Sequence, residues 1–398
     1  MVLQVVQRRS RGFICLNAHP EGCRRNVERQ IEAIVGRDDS RRGGPTSVLV
    51  LGASTGYGLA SRIAAAWGFG AKTVGVFLER PPEGNKTASA GFYNTAAFHG
   101  FARQERLFAA SINGDAFADE TKRATSELLR RELGKVDLIV YSLAAPKRIG
   151  PVTGTVHHSV LRPIGNSYTN KTVDLDSEKV TEVTITPAND QQIADTVAVM
   201  GGADWKLWID MLEEHGLLAE NVRTVAYSYI GPEMTWPIYR DGTIGRAKQQ
   251  LEETARALDS RLRVKFGGEA RIAVNKAIVT QASAAIPVVP LYMSSLFRVM
   301  KRKNLGEGAI EQMRRLFFGF LADDAGPRFD DHGRIRLDDR EMLPDVQAAV
   351  ALIWSQVNSE NLRELTDFAD FQHDFRSLFG FEVEGVDYSE PVETQLSW

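Results

Sequence analysis

Two residues in the stretch TWPIYRDGTIGRAKQQLEETARAL, Tyr239 and Lys248, are of the types that move a proton. A phenol held near an ammonium can donate to an oxygen on which negative charge develops, because the cation favours the phenolate side of the equilibrium. On one continuous helix, nine steps at about 100° each would put the two side chains on opposite faces. The intervening RDGTIG removes the conflict. Asp241 and Gly242 are expected to turn the chain and Thr243 to cap a helix, so Lys248 falls on its second turn while Tyr239 stays on the preceding loop. Upstream, AYSYIGPE closes an apolar run with Tyr227 and Tyr229, two apart and therefore on one face of a strand. Tyr229, nearer the carboxyl end, is the expected substrate contact, with a packed strand tyrosine as the bland alternative. For Lys248 taken alone, that alternative is a solvated helical lysine.

A second constellation supplies what a proton donor would serve. In VLVLGASTGYGLASRIAAAW, Gly52, Gly56 and Gly58 follow an apolar strand and precede a helix. Glycines there permit a tight turn and close approach of a pyrophosphate to the free N–H groups at the positive end of the helix dipole. Glu79 lies about the 20 residues further on where an acid bonds the adenosine ribose. Its charge repels a 2′-phosphate and favours NADH, although Arg80 beside it is of a type that holds such a phosphate. Asp115, in NGDAF, is placed to accept from the adenine amino group or merely to shape a turn. Leu143 and Ala144, in YSLAAP, sit where the carboxyl edge of a sheet meets a dinucleotide.

These groups need a frame. Short apolar runs at Ser47–Leu51, Thr73–Phe77, Arg106–Ile112, Leu138–Ser142, Arg223–Tyr229 and Arg271–Thr280 alternate with amphipathic stretches. Runs with so little polar alternation belong to a sheet buried on both faces. The expected fold is α/β: an enlarged Rossmann-type, doubly wound parallel sheet forming one domain over 1–398. Its dinucleotide half spans 46–150 and its catalytic and substrate half 223–304. Between them, 151–222 is an insertion in which YTNKTVDLDSEKVTEVTITPAND predicts a β-hairpin, and 305–398 is a helical extension.

Composition narrows the partners. Near-balanced charge, −3 overall with scattered basic residues, lacks the footprint of a nucleic-acid binder. No apolar run approaches the roughly 18 residues that span a bilayer. MVLQVVQRRSRGF inverts the order of a secretory signal and reads as a strand and a cytoplasmic address. Only Cys15 and Cys23 occur, which suits a reducing compartment. With His19 they spell C-x3-H-x3-C, but a fourth zinc ligand and the usual close pairing are missing, so no metal is expected. The basic run Arg298 to Asn304 is read as a solvated helix end, or as a contact for the phosphates of coenzyme A or an acidic carrier protein.

Spacing separates this chain from the common short-chain dehydrogenases. Tyr-x3-Lys would need tyrosine at Ile244 and Tyr-x6-Lys at Asp241, whereas Tyr-x8-Lys lands on Tyr239. With RGFICLNAHPEGC, LGASTGYGLASR, LIVYSLAAP, NKAIVTQASAAIPVVPLY and HDFRSLFGFEVEGVDY, the chain closely resembles the trans-2-enoyl-CoA reductases and FabV-type enoyl-acyl-carrier-protein reductases, over nearly its whole length. The resemblance implies a monomer that uses NADH without flavin to reduce the 2,3 double bond of an enoyl thioester, on coenzyme A or carrier protein, in fatty-acid biosynthesis or a fermentative route to short-chain acids. It implies cofactor contacts from Gly52, Ala53, Ser54, Thr55, Gly56 and Tyr57, then Leu78, Glu79, Asp115, Ala116, Leu143 and Ala144, and finally Ile278, Val279 and Thr280. Tyr239 becomes the proton donor, Lys248 its cofactor-holding partner and Tyr229 the substrate contact. Leu78 departs from the phenylalanine common before the acid. A carbonyl or hydroxyacyl dehydrogenase of the short-chain type, and a non-catalytic NAD-binding sensor, stand as the competing readings.

Overall fold

The computed structural model describes residues 3–11, 14–35, 43–151, 153–322 and 329–398. The apolar runs become parallel strands: β1 (Ser47–Leu51), β2 (Lys72–Phe77), β3 (Ala109–Asn113), β4 (Val136–Tyr141), β5 (Leu218–Ser228) and β6 (Glu269–Val274). A seventh, β7 (Ile335–Arg336), is too short to show any pattern in sequence. The sheet order is β7-β6-β5-β4-β1-β2-β3, with every pairing parallel.

Alternate side chains on these strands enter two different cores, as a sheet buried on both faces requires. Val48, Val50, Leu138, Val140 and Val225 face α1 (Pro20–Val35), α2 (Gly56–Phe69) and α10 (Ala309–Gly319). Leu49, Leu51, Ile139, Ala226 and Ile272 face α4 (Asp119–Glu132), α6 (Ala203–Glu214) and α7 (Thr243–Phe266), where Trp205 and Trp208 are fully buried. Each large side chain so buried contributes roughly 1.5–3 kcal/mol before ordering costs. A third core lies between α9 (Val289–Arg302), α11 (Pro344–Gln356) and α13 (Phe368–Ser377), joining Leu291, Leu296, Val346, Phe368 and Phe371. The N-terminal stretch read as one strand forms two short pairings, Leu3–Gln4 with Val392–Glu393 and Ser10–Arg11 with Ile14–Cys15.

Several expectations needed correction. Arg106 adopts a left-handed conformation with φ 58° after α3 (Ala90–Gln104), so β3 begins only at Ala109. The run Arg271–Thr280 stops being a strand at Val274, whose carbonyl is taken by the N–H groups of Leu337 and Asp338. Thr280 caps a short helix, α8 (Gln281–Ala284), by accepting from Ser283 N at 3.0 Å. The hairpin in the insertion is present as Tyr168–Val173 against Val180–Ile185. No helix among the described residues is long and apolar enough to cross a membrane.

Candidate active site

The glycine turn forms for a steric reason. A Cβ on Gly52, where φ is 87°, would lie 2.2 Å from Ser142 O, and one on Gly58 would lie 1.9 Å from Gly52 O. Gly56, with φ 52°, faces open space at the start of α2. The cradle is therefore tight behind and open in front, the shape an incoming pyrophosphate needs. Thr55 is exposed, and its side chain makes no cap bond. Ala53 is buried beneath the turn, and Ser54 O accepts from Asn94 Nδ2 at 3.1 Å. Tyr57 turns its hydroxyl inward, donating to Lys276 O at 2.6 Å and accepting from Gln312 Nε2 at 2.6 Å. Gln312 Oε1 in turn accepts from Lys276 N at 2.8 Å, so this clamp joins the glycine turn to the segment after β6.

Glu79 is fixed at three points. Its backbone exchanges two 2.8 Å bonds with the Asn113 amide, and its Oε1 accepts from Ser54 Oγ at 2.7 Å. Leu78 beside it is 70% exposed, free to lie against a base. Asp115 Oδ1 accepts from Phe117 N at 2.9 Å, so it does shape a turn. Ala116 O accepts from Lys122 Nζ at 2.9 Å and Trp208 Nε1 at 3.1 Å, and Lys122 is paired with buried Asp204. Leu143 and Ala144 follow β4 at the sheet's carboxyl edge. A cavity of about 1020 Å³ joins Thr55, Gly56, Glu79 and Arg80 to Ile278, Val279 and Thr280, with Phe297 and Met300 as an apolar wall. Tyr229, Tyr239, Lys248, Asp115 and Leu143 are not among its lining residues.

Tyr239 and Lys248 each contact the carboxyl-terminal part of β5 or the residue that follows it. Tyr239 lies in the turn before α7, its N–H bonded to Thr235 O at 3.0 Å. Asp241 N closes the turn on Trp236 O at 2.8 Å. Gly242, not Thr243, occupies the cap position; Thr243 is the first helical residue, and its hydroxyl donates inward to Val160 O. Lys248 Nζ donates to Tyr227 O at 3.0 Å. Burial without a carboxylate partner pushes this lysine down to about 8. Tyr239 stands edge-on to Tyr229, with ring centres 4.9 Å apart. Burial, and then the Glu341 charge, push the Tyr239 phenol up, so it keeps its proton. Tyr227 points instead to Ser61 Oγ on α2, at 2.6 Å.

Sequence reasoning missed the supporting shell. Glu341, fully buried, accepts from Tyr229 Oη at 3.1 Å, Tyr292 Oη at 2.7 Å and Ala277 N at 2.8 Å. The one visible signal was the polar pair Asn275-Lys276 inside an apolar run; both are buried. Three of the four cations in the basic run are matched internally: Arg298 pairs with Asp367 at 3.0 Å, Lys301 with Asp370 at 2.8 Å and Lys303 with Asp345. His19 Nδ1 accepts from Gly22 N at 3.2 Å, Cys23 is buried, and no described group of three or more ligand-type residues could hold a metal.

Comparison with known proteins agrees with this geometry. Residues 86–321 match the family model described as the trans-2-enoyl-CoA reductase catalytic region, and residues 5–84 match the NAD(P)H binding domain of trans-2-enoyl-CoA reductase. Residues 329–392 match a model described as an enoyl reductase FAD binding domain. The described part of that segment holds no strand, glycine turn and helix in succession to cradle a flavin dinucleotide, and its helices bury Val346, Phe368 and Phe371. An enoyl-[acyl-carrier-protein] reductase [NADH] of Opitutus terrae is 53% identical over 98% of this chain and 99% of its own. A trans-2-enoyl-CoA reductase [NADH] of Ruminiclostridium cellulolyticum is 52% identical over 99% and 98%. The crystal structure of Treponema denticola trans-2-enoyl-CoA reductase in complex with NAD superposes with a TM-score of 0.94 at 47% identity, covering 99% of this chain and 98% of that one. A nucleotide cradle, a tyrosine outside α7 with a lysine inside it, and likeness along the whole chain lead to one conclusion: this protein belongs to the trans-2-enoyl-CoA reductase family.

Proposed function

We propose that the chain reduces the 2,3 double bond of trans-2-enoyl thioesters with NADH, on the residues assembled around β5. When bound, the reduced nicotinamide supplies the hydride that reaches the β-carbon. The glycine turn from Gly52 to Tyr57 receives the pyrophosphate, Glu79 the adenosine ribose, Asp115 and Ala116 the adenine end, and Leu143, Ala144 and Ile278 to Thr280 the nicotinamide end. Lys248 holds the nicotinamide ribose and brings its positive charge toward the tyrosine. Tyr239 donates a hydrogen bond to the thioester oxygen as it gains enolate character, which stabilises the transition state more than the ground state. Tyr229 walls the acyl site edge-on to Tyr239, and the enolate then takes a solvent-derived proton at its α-carbon, which completes the saturated thioester.

The observation that carries this reading is that Tyr239, on the loop, and Lys248, in the helix, both come to the end of β5. The fixed Glu79 carboxylate supports NADH over NADPH. We read the protein as a cytoplasmic monomer serving fatty-acid synthesis or short-chain acid formation, a reading that suits two free thiols at Cys15 and Cys23. The test is NADH oxidation by the purified protein with crotonyl-CoA and with a long-chain enoyl-CoA, each repeated with NADPH. Turnover with NADH and release of the saturated thioester are expected. Formation of a hydroxyacyl product instead, or NADH binding without turnover on any enoyl thioester, would refute the reading.

A further inference from the structure

Tyr229 and Tyr239 present two phenols at one site, and either has the chemistry to donate to an enolate oxygen. Their hydroxyls are not equivalent. Tyr229 Oη donates to Glu341 Oε1 at 3.1 Å, the oxygen that also receives Tyr292 Oη at 2.7 Å, while Glu341 Oε2 receives Ala277 N at 2.8 Å. Three donors converge on two oxygens, which suits an ionised carboxylate, a group that only accepts. Burial works against that charge and the nearby Lys276 ammonium supports it. A phenol has one proton to give, and that of Tyr229 is committed. Withdrawing it would leave a fully buried carboxylate short of a charge-assisted bond, roughly twice as strong as a neutral one. The Tyr239 hydroxyl, by contrast, has no hydrogen-bond partner among the described residues.

We propose that Glu341 is a positioning residue that designates the donor: by holding the Tyr229 proton it reserves donation to the enolate oxygen for Tyr239, and leaves Tyr229 to meet the thioester through its ring and oxygen lone pairs. The inference rests on the reductase reading above. Glu341→Gln keeps the size of the side chain but offers an NH2 group, from which a phenol oxygen accepts. The Tyr229 proton is then released toward the site.

The test is a double-mutant cycle with kcat and KM for crotonyl-CoA, and the Kd for NADH from its fluorescence, in the wild type, Tyr239→Phe, Glu341→Gln and the double variant. Tyr239→Phe should lower kcat at least a hundredfold with the NADH Kd nearly unchanged. Adding Glu341→Gln should then raise kcat at least tenfold above Tyr239→Phe, as Tyr229 takes over. A merely structural Glu341 predicts the same loss in both backgrounds, and that result would overturn the proposal. A second measurement needs no substitution at Glu341 and no turnover. With tyrosine labelled by 13C at Cζ, in mixed H2O and D2O, the wild-type Tyr229 hydroxyl should exchange slowly and give two resolved resonances, while Tyr239 gives one averaged line. An averaged Tyr229 line would overturn the assignment. A wild-type chain inert toward enoyl thioesters would refute the reductase reading alone, because the exchange experiment still decides where the Tyr229 proton resides.

Discussion

Cofactor choice should turn on Glu79. Its main chain is clamped by Asn113 and its carboxylate by Ser54, so the charge cannot swing aside when a 2′-phosphate arrives. At about 5 Å and an effective dielectric near 40, each unit of phosphate charge is repelled by about 1.7 kcal/mol. A phosphate carrying nearly two charges loses about 3 kcal/mol, and screening at physiological salt leaves about 2 kcal/mol, or ~30-fold. Glu79→Ser removes the charge and makes room, and exposed Arg80 remains to hold the phosphate. The ratio of kcat/KM for NADPH to that for NADH, measured at saturating crotonyl-CoA, should rise by about 30-fold. Glu79→Gln, which keeps the volume, should recover only part of this. If Glu79→Ser merely weakens both cofactors alike, the carboxylate does not face the 2′ position and the electrostatic argument fails.

Other consequences follow from neighbouring groups. Lys248 titrates at about 8, and the cation is the working form, so activity should fall as pH rises through that value. Lys248→Arg should move this basic limb upward, and an unmoved limb would assign it to another group. In the glycine turn, Gly58→Ala drives a Cβ into Gly52 O and should abolish NADH binding while costing about 3 kcal/mol by urea unfolding. Gly56→Ala meets open space and should cost about 1 kcal/mol, for its positive φ alone. Lys122→Met leaves the buried Asp204 carboxylate to the more distant Arg148, at 3.7 Å, and leaves Ala116 O to Trp208 alone, so it should lower stability by about 1–3 kcal/mol and raise the Kd for NADH. Equal stability of this variant and the wild type would show that the pair is dispensable.

What could be read from the chain was what neighbours in sequence decide. The glycine turn joins β1 to α2, Glu79 closely follows β2, and the RDGTIG break explains Tyr239 within a dozen residues. The supporting shell was illegible for the complementary reason. Glu341 reaches Tyr229 across 112 positions and Gln312 reaches Tyr57 across 255, and neither sits in a motif. Thr243 was misplaced by one residue because the hydroxyl of a helix-starting threonine serves as well in a buried bond, here to Val160 O, as in a cap. The last residues of Arg271–Thr280 looked like strand because apolar residues line a cavity as readily as a sheet face. In the basic run, like charges adjacent in sequence found carboxylates far away, which charge counting along the chain cannot foresee.

The 112 positions between Tyr229 and Glu341 also set an order in time. At roughly 5–20 residues per second, a ribosome delivers the carboxylate about 6–22 s after the tyrosine it binds. For most of that interval β7 is not yet made, and β6, once synthesised, stands as a bare edge. The residues of the glycine turn are made early, but the clamp on Tyr57 and the carboxylate that sorts the two phenols arrive only late in synthesis. A product truncated before Glu341 would thus carry the glycine turn without the group that holds the Tyr229 proton.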